Sequence, residues 1–493
     1  MKTIADISFL NRKSLLDHTH HRGMLIALAV LMFGAISAVS IVFSSEAPWV
    51  VFLPLVTIAV IIGLVILKKA VAGSTAAIIA YLAIVIFTTD GQFRARGAGE
   101  IDADWQSLLK FGLWIGAGVI GFAHMPPIRT IINRPGPALW LAYIAMAIIS
   151  SVYAPTPLYS FGCAFSLLCF FAFAYAIIAK LTEAQFMWTV VSAFAVFLAI
   201  GWVVFYQNPG LGTSEAWTYN GIVLRMCGLA GQATNLGSVC AKYLAVLFLL
   251  WTAGRCRLVT ALPLAALGVA SLIASDARTG MIAVIVGIVV AMLAQSSKGL
   301  IMAALAAVAG VIASVIFSFP MDALGSHFSR SGDPTEVFTL TGRLEIWDFV
   351  EREIMEKPFF GWGYNASKVI IAKHVGFQDG LMIDTAHNML LQSLMSVGFI
   401  GTLPIVGVIF YLFFSMLYKP NKFRDLFFVI IFIAGISDTS ALGTTPSILT
   451  LFFLIISIMP QSASKSYTVQ DLRVIDGMGL PSRQLSTAGG PSA

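Results

Sequence analysis

The chain has 493 residues, 58% of them hydrophobic and only 11% charged, with 42 glycines and 36 phenylalanines. Its mean hydropathy of +0.88 leaves too little polar surface for a water-soluble multidomain protein and excludes disorder, coiled coil or a disulfide scaffold as the main architecture. What remains is an all-α polytopic integral membrane protein. The net charge of +6 could suit a nucleic-acid partner, but the charges follow the membrane, and no nucleic acid is expected. Cys163, Cys169, Cys227, Cys240 and Cys256 lie in or beside apolar runs without metal-ligand spacing, so neither a zinc site nor a disulfide frame is expected.

Residues 1–23 are polar and read as a cytoplasmic segment; the first apolar run is followed directly by others, which is not the pattern of a cleaved signal peptide. Apolar stretches long enough to cross a bilayer fall near 24–43, 49–67, 70–88, 106–123, 137–152, 157–179, 185–206, 233–252, 258–273, 280–295, 299–318, 387–417, 426–441 and 445–460. These predict about 12–14 transmembrane helices, since the pairs around Pro155 and Ser275 could instead be hairpins dipping into the membrane. With the N-terminus inside, eighteen of the thirty Lys and Arg residues, but only six of the twenty-four acidic ones, fall on the cytoplasmic side. The short outer loops hold just Arg94, Arg96, Arg225 and Arg278, so the positive-inside rule places both termini in the cytoplasm.

The chain then divides into residues 1–23, spans 1 to 11 over 24–318, a large outward loop at 319–386, the last spans over 387–460, and a Ser-, Gly- and Pro-rich tail at 461–493 that reads as disordered. The loop is not disordered in composition. Arg343–Lys357 predicts an amphipathic helix with Leu344, Trp347, Val350, Ile354 and Met355 on or near one face, stopped by Pro358. Phe359-Phe360-Gly361-Trp362-Gly363 follows as an aromatic, glycine-hinged turn suited to the membrane interface. The 387–417 stretch is longer than one crossing needs, and Gly398, Gly401 and Pro404 are the places where it would break.

Four outward places carry polar groups that an apolar protein would not keep idly. They are Arg225-Met-Cys-Gly228-Leu-Ala-Gly231-Gln-Ala-Thr-Asn235; Ser275-Asp276-Ala277-Arg278-Thr279-Gly280; Thr341-Gly342-Arg343-Leu344-Glu345-Ile346-Trp347; and Thr385-Ala386-His387-Asn388. Arginine offers a permanent charge and a fork of donors matched to phosphate oxygens, and can neutralise charge building on a diphosphate leaving group. Histidine is the group best able to take a proton from an attacking hydroxyl near neutrality. Together they point to glycosyl transfer from a lipid diphosphate. Lys242, near the middle of a predicted span, adds an intramembrane cation that could face the same cavity.

In order and spacing, these four stretches, with Pro358, Gly361-Trp362-Gly363, Gly398 and Gly401, resemble the O-antigen ligase and exopolysaccharide polymerase superfamily of bacteria over roughly residues 200–460. The resemblance implies a membrane-embedded glycosyltransferase of the C type in the bacterial inner membrane, metal-independent and inverting. Such an enzyme moves a glycan from undecaprenyl diphosphate to an acceptor hydroxyl at the periplasmic face. Arg278 and Arg343 would hold the diphosphate, His387 would activate the acceptor as general base or orient it, Arg225 would be a supporting donor, and Asn388 would fix the imidazole or a sugar hydroxyl. The implied partners are an undecaprenyl-diphosphate-linked oligosaccharide, membrane lipid, and other polysaccharide assembly and export proteins; no cofactor is implied. A polymerase extending lipid-linked repeats is preferred, with a ligase passing finished glycan to lipid A core, or a transporter or flippase of lipid-linked sugars, as alternatives.

Each residue also has a plain structural reading. Arg225 and Arg278 could be interfacial anchors, Arg343 could pair with Glu345 or Asp348 on a solvated helix, and His387 could cap a helix. Lys242 could be satisfied by a neighbouring helix, and the aromatics of the loop could be packing. Asp102-Ala103-Asp104 has the spacing of a metal-binding carboxylate pair, against which a solvated turn beside Arg94, Arg96 and Glu100 is the simpler reading.

Overall fold

The computed structural model describes residues 49–94, 104–218, 221–293, 343–374, 377–378, 381–382, 384–439 and 441–459. Sixteen α-helices appear among them. They are α1 Trp49–Val71, α2 Thr75–Thr89, α3 Trp105–His124, α4 Ile128–Ile132, α5 Pro135–Ser150, α6 Pro157–Lys180, α7 Glu183–Gln207 and α8 Pro209–Gly212. After a hairpin of β1 (Thr213–Thr218) and β2 (Gly221–Met226) come α9 Ala233–Thr252, α10 Leu258–Ser275, α11 Arg278–Leu293, α12 Arg343–Glu356 and α13 Ser367–His374. A two-residue hairpin, β3 Phe377–Gln378 and β4 Leu381–Met382, precedes α14 Met389–Tyr418, α15 Lys422–Ser437 and α16 Ile448–Ile458.

Seven of the described helices are long and apolar enough to cross a membrane, and three more are shorter apolar helices. The exposed surface is itself apolar. Val259 on α10 is 84% exposed and Leu403 on α14 is 72% exposed, an arrangement that lipid tolerates and water does not. The chain is thus a polytopic, mostly helical membrane protein. Twelve of the fourteen apolar stretches coincide with described helices to within a few residues, while 24–43, 299–318, the first 23 residues and the tail lie outside the described residues. The stretches flanking Pro155 and the one before Ser275 are full-length helices, not half-spans.

Where the sequence reading and the structure differ, the cause is local. The stretch placed at 426–441 begins earlier as α15 because Asn421 caps it and because Arg424 and Asp425 pair at 2.7 Å in its first turn, so both charges can be buried. On α12 the buried face is Ile346, Val350 and Ile354, whereas Leu344 and Met355 point outward. The two hairpins add strands to a chain read as wholly helical. β1 and β2 pair antiparallel with Ser214 opposite Arg225, and the missed signal was Asn220-Gly221 between two extended runs.

The long helix α14 is broken at Gly398, whose φ of 69° and ψ of −173° leave the helical region. The loop at 358–363 fills the gap. Trp362 and Gly363 N–H donate to Met395 and Ser396 C=O, both at 2.8 Å, and Phe399 and Ile400 N–H donate to Pro358 and Phe359 C=O at 2.8 and 3.2 Å. The four backbone groups freed by the break are therefore satisfied by one docked segment. A Cβ on Gly398 would lie 2.4 Å from Phe359 backbone, and one on Gly361 2.7 Å from Gly398 N, so only glycine permits this crossing.

Candidate active site

Arg225, near the end of β2, reaches the carboxyl end of α10. Its Nε and Nη2 donate to Ser275 C=O at 2.9 and 2.8 Å, and Nη2 also donates to Asp276 C=O at 2.9 Å. These are among the carbonyls a helix leaves unpaired, at the negative end of its dipole. The side chain is 7% exposed. The sequence made Arg225 a supporting donor to substrate; in the fold it is an internal clamp that joins the first polar stretch to the second.

The clamped turn is strained. Asp276 has φ +46°, and the chain then enters α11 at Arg278. Gly280 lets α11 approach α9 closely, since a Cβ there would lie 2.8 Å from Gly237 C=O. Arg278 itself is half-exposed and hydrogen-bonds no described residue.

α11 packs along α15, with Gly287 against Leu426 and Ile430. The order of crossings expected from the sequence runs the two helices in opposite directions, with the Arg278 end of α11 at the Ser437 end of α15. The turn before α14 hangs from that same end, because Asn388 Nδ2 donates to Ile436 C=O at 3.2 Å. Asn388 Oδ1 accepts from Leu390 and Leu391 N–H at 2.9 and 3.1 Å. Proposed on sequence to fix the imidazole or a sugar hydroxyl, Asn388 stands in the structure as the N-cap of α14 and its tether to α15.

His387 has φ +48° and is half-exposed. The residue before it is pinned on both sides: Ala386 N–H donates to Gln392 Oε1 at 3.0 Å, and Trp347 Nε1 donates to Ala386 C=O at 2.9 Å. Trp347 lies one turn into α12, so the start of that helix, where Arg343 sits, is held beside the His387 turn. The side chain of Arg343 lies outside the described residues. Buried Gln392 also donates through Nε2 to Ser367 Oγ and to Gly443 C=O at 3.1 Å, tying three segments into one polar knot.

Lys242 is buried and paired with Asp90 at 2.6 Å. Asp90 Oδ1 also accepts from Ile448 N–H at 3.1 Å, so one carboxylate joins the end of α2, the middle of α9 and the start of α16. The lysine read as a cavity-facing donor thus has an internal counter-ion. Asp104 is the N-cap of α3, accepting from Ser107 N–H at 2.7 Å, and pairs with Arg94; Asp102 lies outside the described residues.

Trp347 and Trp362 belong to the small core between α12, α13 and the first half of α14, with Lys357 Nζ 3.7 Å from the centre of the Trp362 ring. Phe359 and Phe360 are exposed. Tyr364 is buried with its hydroxyl donating to Thr444 C=O at 3.0 Å, and burial pushes its phenol well above the ordinary range. Burial likewise pushes the Cys227 thiol up to about 11, which keeps it protonated and a poor nucleophile.

Sequence reasoning missed Asp90, Gln392 and Asn365. A glutamine early in an apolar helix and an asparagine inside the aromatic loop were the available signals. No curated protein matches the chain. Residues 263–406 match the family model described as O-antigen ligase, a stretch that contains Arg278, Arg343, His387 and Asn388 but neither Arg225 nor Lys242. Over that stretch, under a third of the chain, the protein is similar to the O-antigen ligase family, in agreement with the resemblance its motifs carry.

Proposed function

We propose that the protein is a polysaccharide polymerase of the bacterial inner membrane. It transfers a glycan from undecaprenyl diphosphate to an acceptor sugar hydroxyl at the periplasmic face. The acceptor oxygen attacks the anomeric carbon as the bond to the diphosphate oxygen breaks, so a single displacement inverts the centre. His387 takes the acceptor proton. Arg278 and Arg343 neutralise the charge arriving on the diphosphate, the task a metal ion would otherwise perform. Arg225 and Asn388 act through these residues, the first by holding the turn that carries Arg278 and the second by fixing the turn that carries His387. Lys242 holds the bundle beneath them.

The observation that carries this reading is Arg278: a half-exposed guanidinium with no hydrogen-bond partner among the described residues, on a turn clamped by a second arginine. In a bundle where Arg225, Lys242 and Arg424 are all internally paired, such a charge is a group kept for an anionic ligand. The match at 263–406 supports polysaccharide joining as the class of reaction.

The test uses a strain whose own copy is deleted. Complementation with His387→Ala should abolish polymer while lipid-linked repeat units still reach the periplasm. Loss of that delivery would favour a transporter instead, and accumulation of long lipid-linked chains lacking attachment to lipid A core would favour a ligase.

A further inference from the structure

Six buried side-chain polar atoms among the described residues have no hydrogen-bond partner, and four of them belong to segments that touch one another. Thr156 Oγ1 and Ser160 Oγ stand at the start of α6. Asn365 Oδ1 lies in the loop docked against that helix, and Ser396 Oγ belongs to the residue whose carbonyl accepts from Gly363. Contacts join them. Asn365 Nδ2 reaches Cys163 Sγ at 3.4 Å, one turn along α6 from Ser160, and Gly363 abuts Ala154. An orphaned buried oxygen costs free energy that native proteins rarely leave unrecovered, and four together mark a place where hydroxyl donors belong.

Asn365 is also one of only three non-glycine residues at positive φ among the described residues; the other two are Asp276, just before Arg278, and His387 itself. Strain of this kind collects where a fold holds side chains for a ligand. Asn365 is 1% exposed. Beside it the half-exposed Tyr159 lies under Lys368, whose Nζ is 5.8 Å from the ring centre, and within electrostatic reach of the half-exposed Asp384. Asp384 is three residues before His387, and Ser367, next to Lys368, shares the Gln392 knot with Ala386. The cluster is therefore built into the same frame as the His387 turn.

We infer that Tyr159, Asn365, Lys368 and Asp384 form a sugar-binding subsite beside the proposed catalytic turn, resting on the transferase reading above. The chemistry is that of hydroxyl recognition. One cation is balanced by one carboxylate, neutral acceptors await donors, and an aromatic ring offers a face. It contrasts with the Arg278 turn, where two arginines, Arg225 and Arg278, stand with the one carboxylate of Asp276, an excess of positive charge that suits a diphosphate. The ligand is a sugar residue of the glycan, supplied either by the acceptor or by the lipid-linked donor.

The test purifies the full chain with Asn365→Gly, which keeps the positive φ and removes the amide, and separately with Tyr159→Leu, which removes the ring face, and Lys368→Met. The probe is an oligosaccharide of one to three repeat units, made by partial hydrolysis of the polysaccharide from the native host and free of lipid. Binding is followed by saturation-transfer NMR, and transfer by the KM of each substrate in turn. Each variant should raise one sugar substrate's KM about tenfold, the worth of one such contact, with a far smaller change in kcat. If the acceptor's KM moves, and free oligosaccharide binding weakens with it, the sugar is the acceptor's. If only the donor's KM moves, it is the donor's. Wild-type binding that the variants leave unchanged, with both KM values unmoved, overturns the subsite and leaves the transferase reading intact. Oligosaccharide binding lost in the variants of a chain that transfers nothing would keep the subsite and overturn the transferase. A wild-type chain that neither binds nor transfers overturns both.

Discussion

Two regions of this protein treat charge in opposite ways. At the meeting of α2, α9 and α16, Lys242 and Asp90 are buried, paired at 2.6 Å, and the second carboxylate oxygen is taken by Ile448 N–H. At the turns around Arg278 and His387 the backbone is strained, and the Arg278 guanidinium hydrogen-bonds no described residue. Charge that holds an apolar bundle together is spent on a partner within the chain. The charge proposed to meet the ligand, on Arg278, is half-exposed on a turn that Arg225 holds. In a membrane protein, where every unpaired polar group is costly, pairing and exposure go together: Lys242, Arg225 and Arg424 are buried and paired, and Arg278 is neither.

The sharpest way to break the comparison is at the ligand side. Arg278→Ala and His387→Ala should each lower glycan transfer by about 10²- to 10⁴-fold while leaving the unfolding temperature in detergent nearly unmoved. A large fall in stability with either would make it a structural residue after all. Lys242→Met should behave in reverse. Leaving Asp90 buried and unpaired should destabilise the fold by about 3–5 kcal/mol, and Lys242→Met with Asp90→Asn should recover much of the loss, as thermal unfolding would show.

Arg225→Lys sits between the two classes. Lysine keeps the charge but cannot fork across Ser275 and Asp276 carbonyls, so transfer should fall about tenfold through misplacement of Arg278 with little loss of protein. The smallest effect belongs to Asn388→Ala, which removes a cap and should cost about 1 kcal/mol, largely restored by Asn388→Asp. An Asn388→Ala effect on transfer far beyond that cost would return Asn388 to the substrate.

The membrane class and nearly all of the described helices were legible in the sequence because bilayer thickness and the apolar run length are tied directly. Breakage of the 387–417 stretch was legible as well, from its excess length and its Gly and Pro positions, and the structure places it at Gly398. What fills the break was not. The pairing of 358–363 with residues 395–400 consists of backbone bonds between segments distant in sequence, which no side-chain pattern encodes. The same holds for the partners of the cations. Arg225, Arg278 and Lys242 look alike as isolated residues, and only three-dimensional proximity to Ser275, to no described partner, and to Asp90 respectively tells them apart. Asn388 fell on the structural side because its cap is a local signal, readable from the helix start that follows it.

The direct measurement is single-turnover transfer by the purified full chain, from a defined undecaprenyl-diphosphate-linked repeat unit to a defined acceptor, in the presence of a strong chelator. Transfer should persist in chelator, release undecaprenyl diphosphate with inversion at the anomeric carbon, and be lost in Arg278→Ala and Arg343→Ala alike. Transfer that stops in chelator and returns with a divalent cation, or that proceeds at the wild-type rate without Arg278, would contradict a diphosphate held by arginines beside His387.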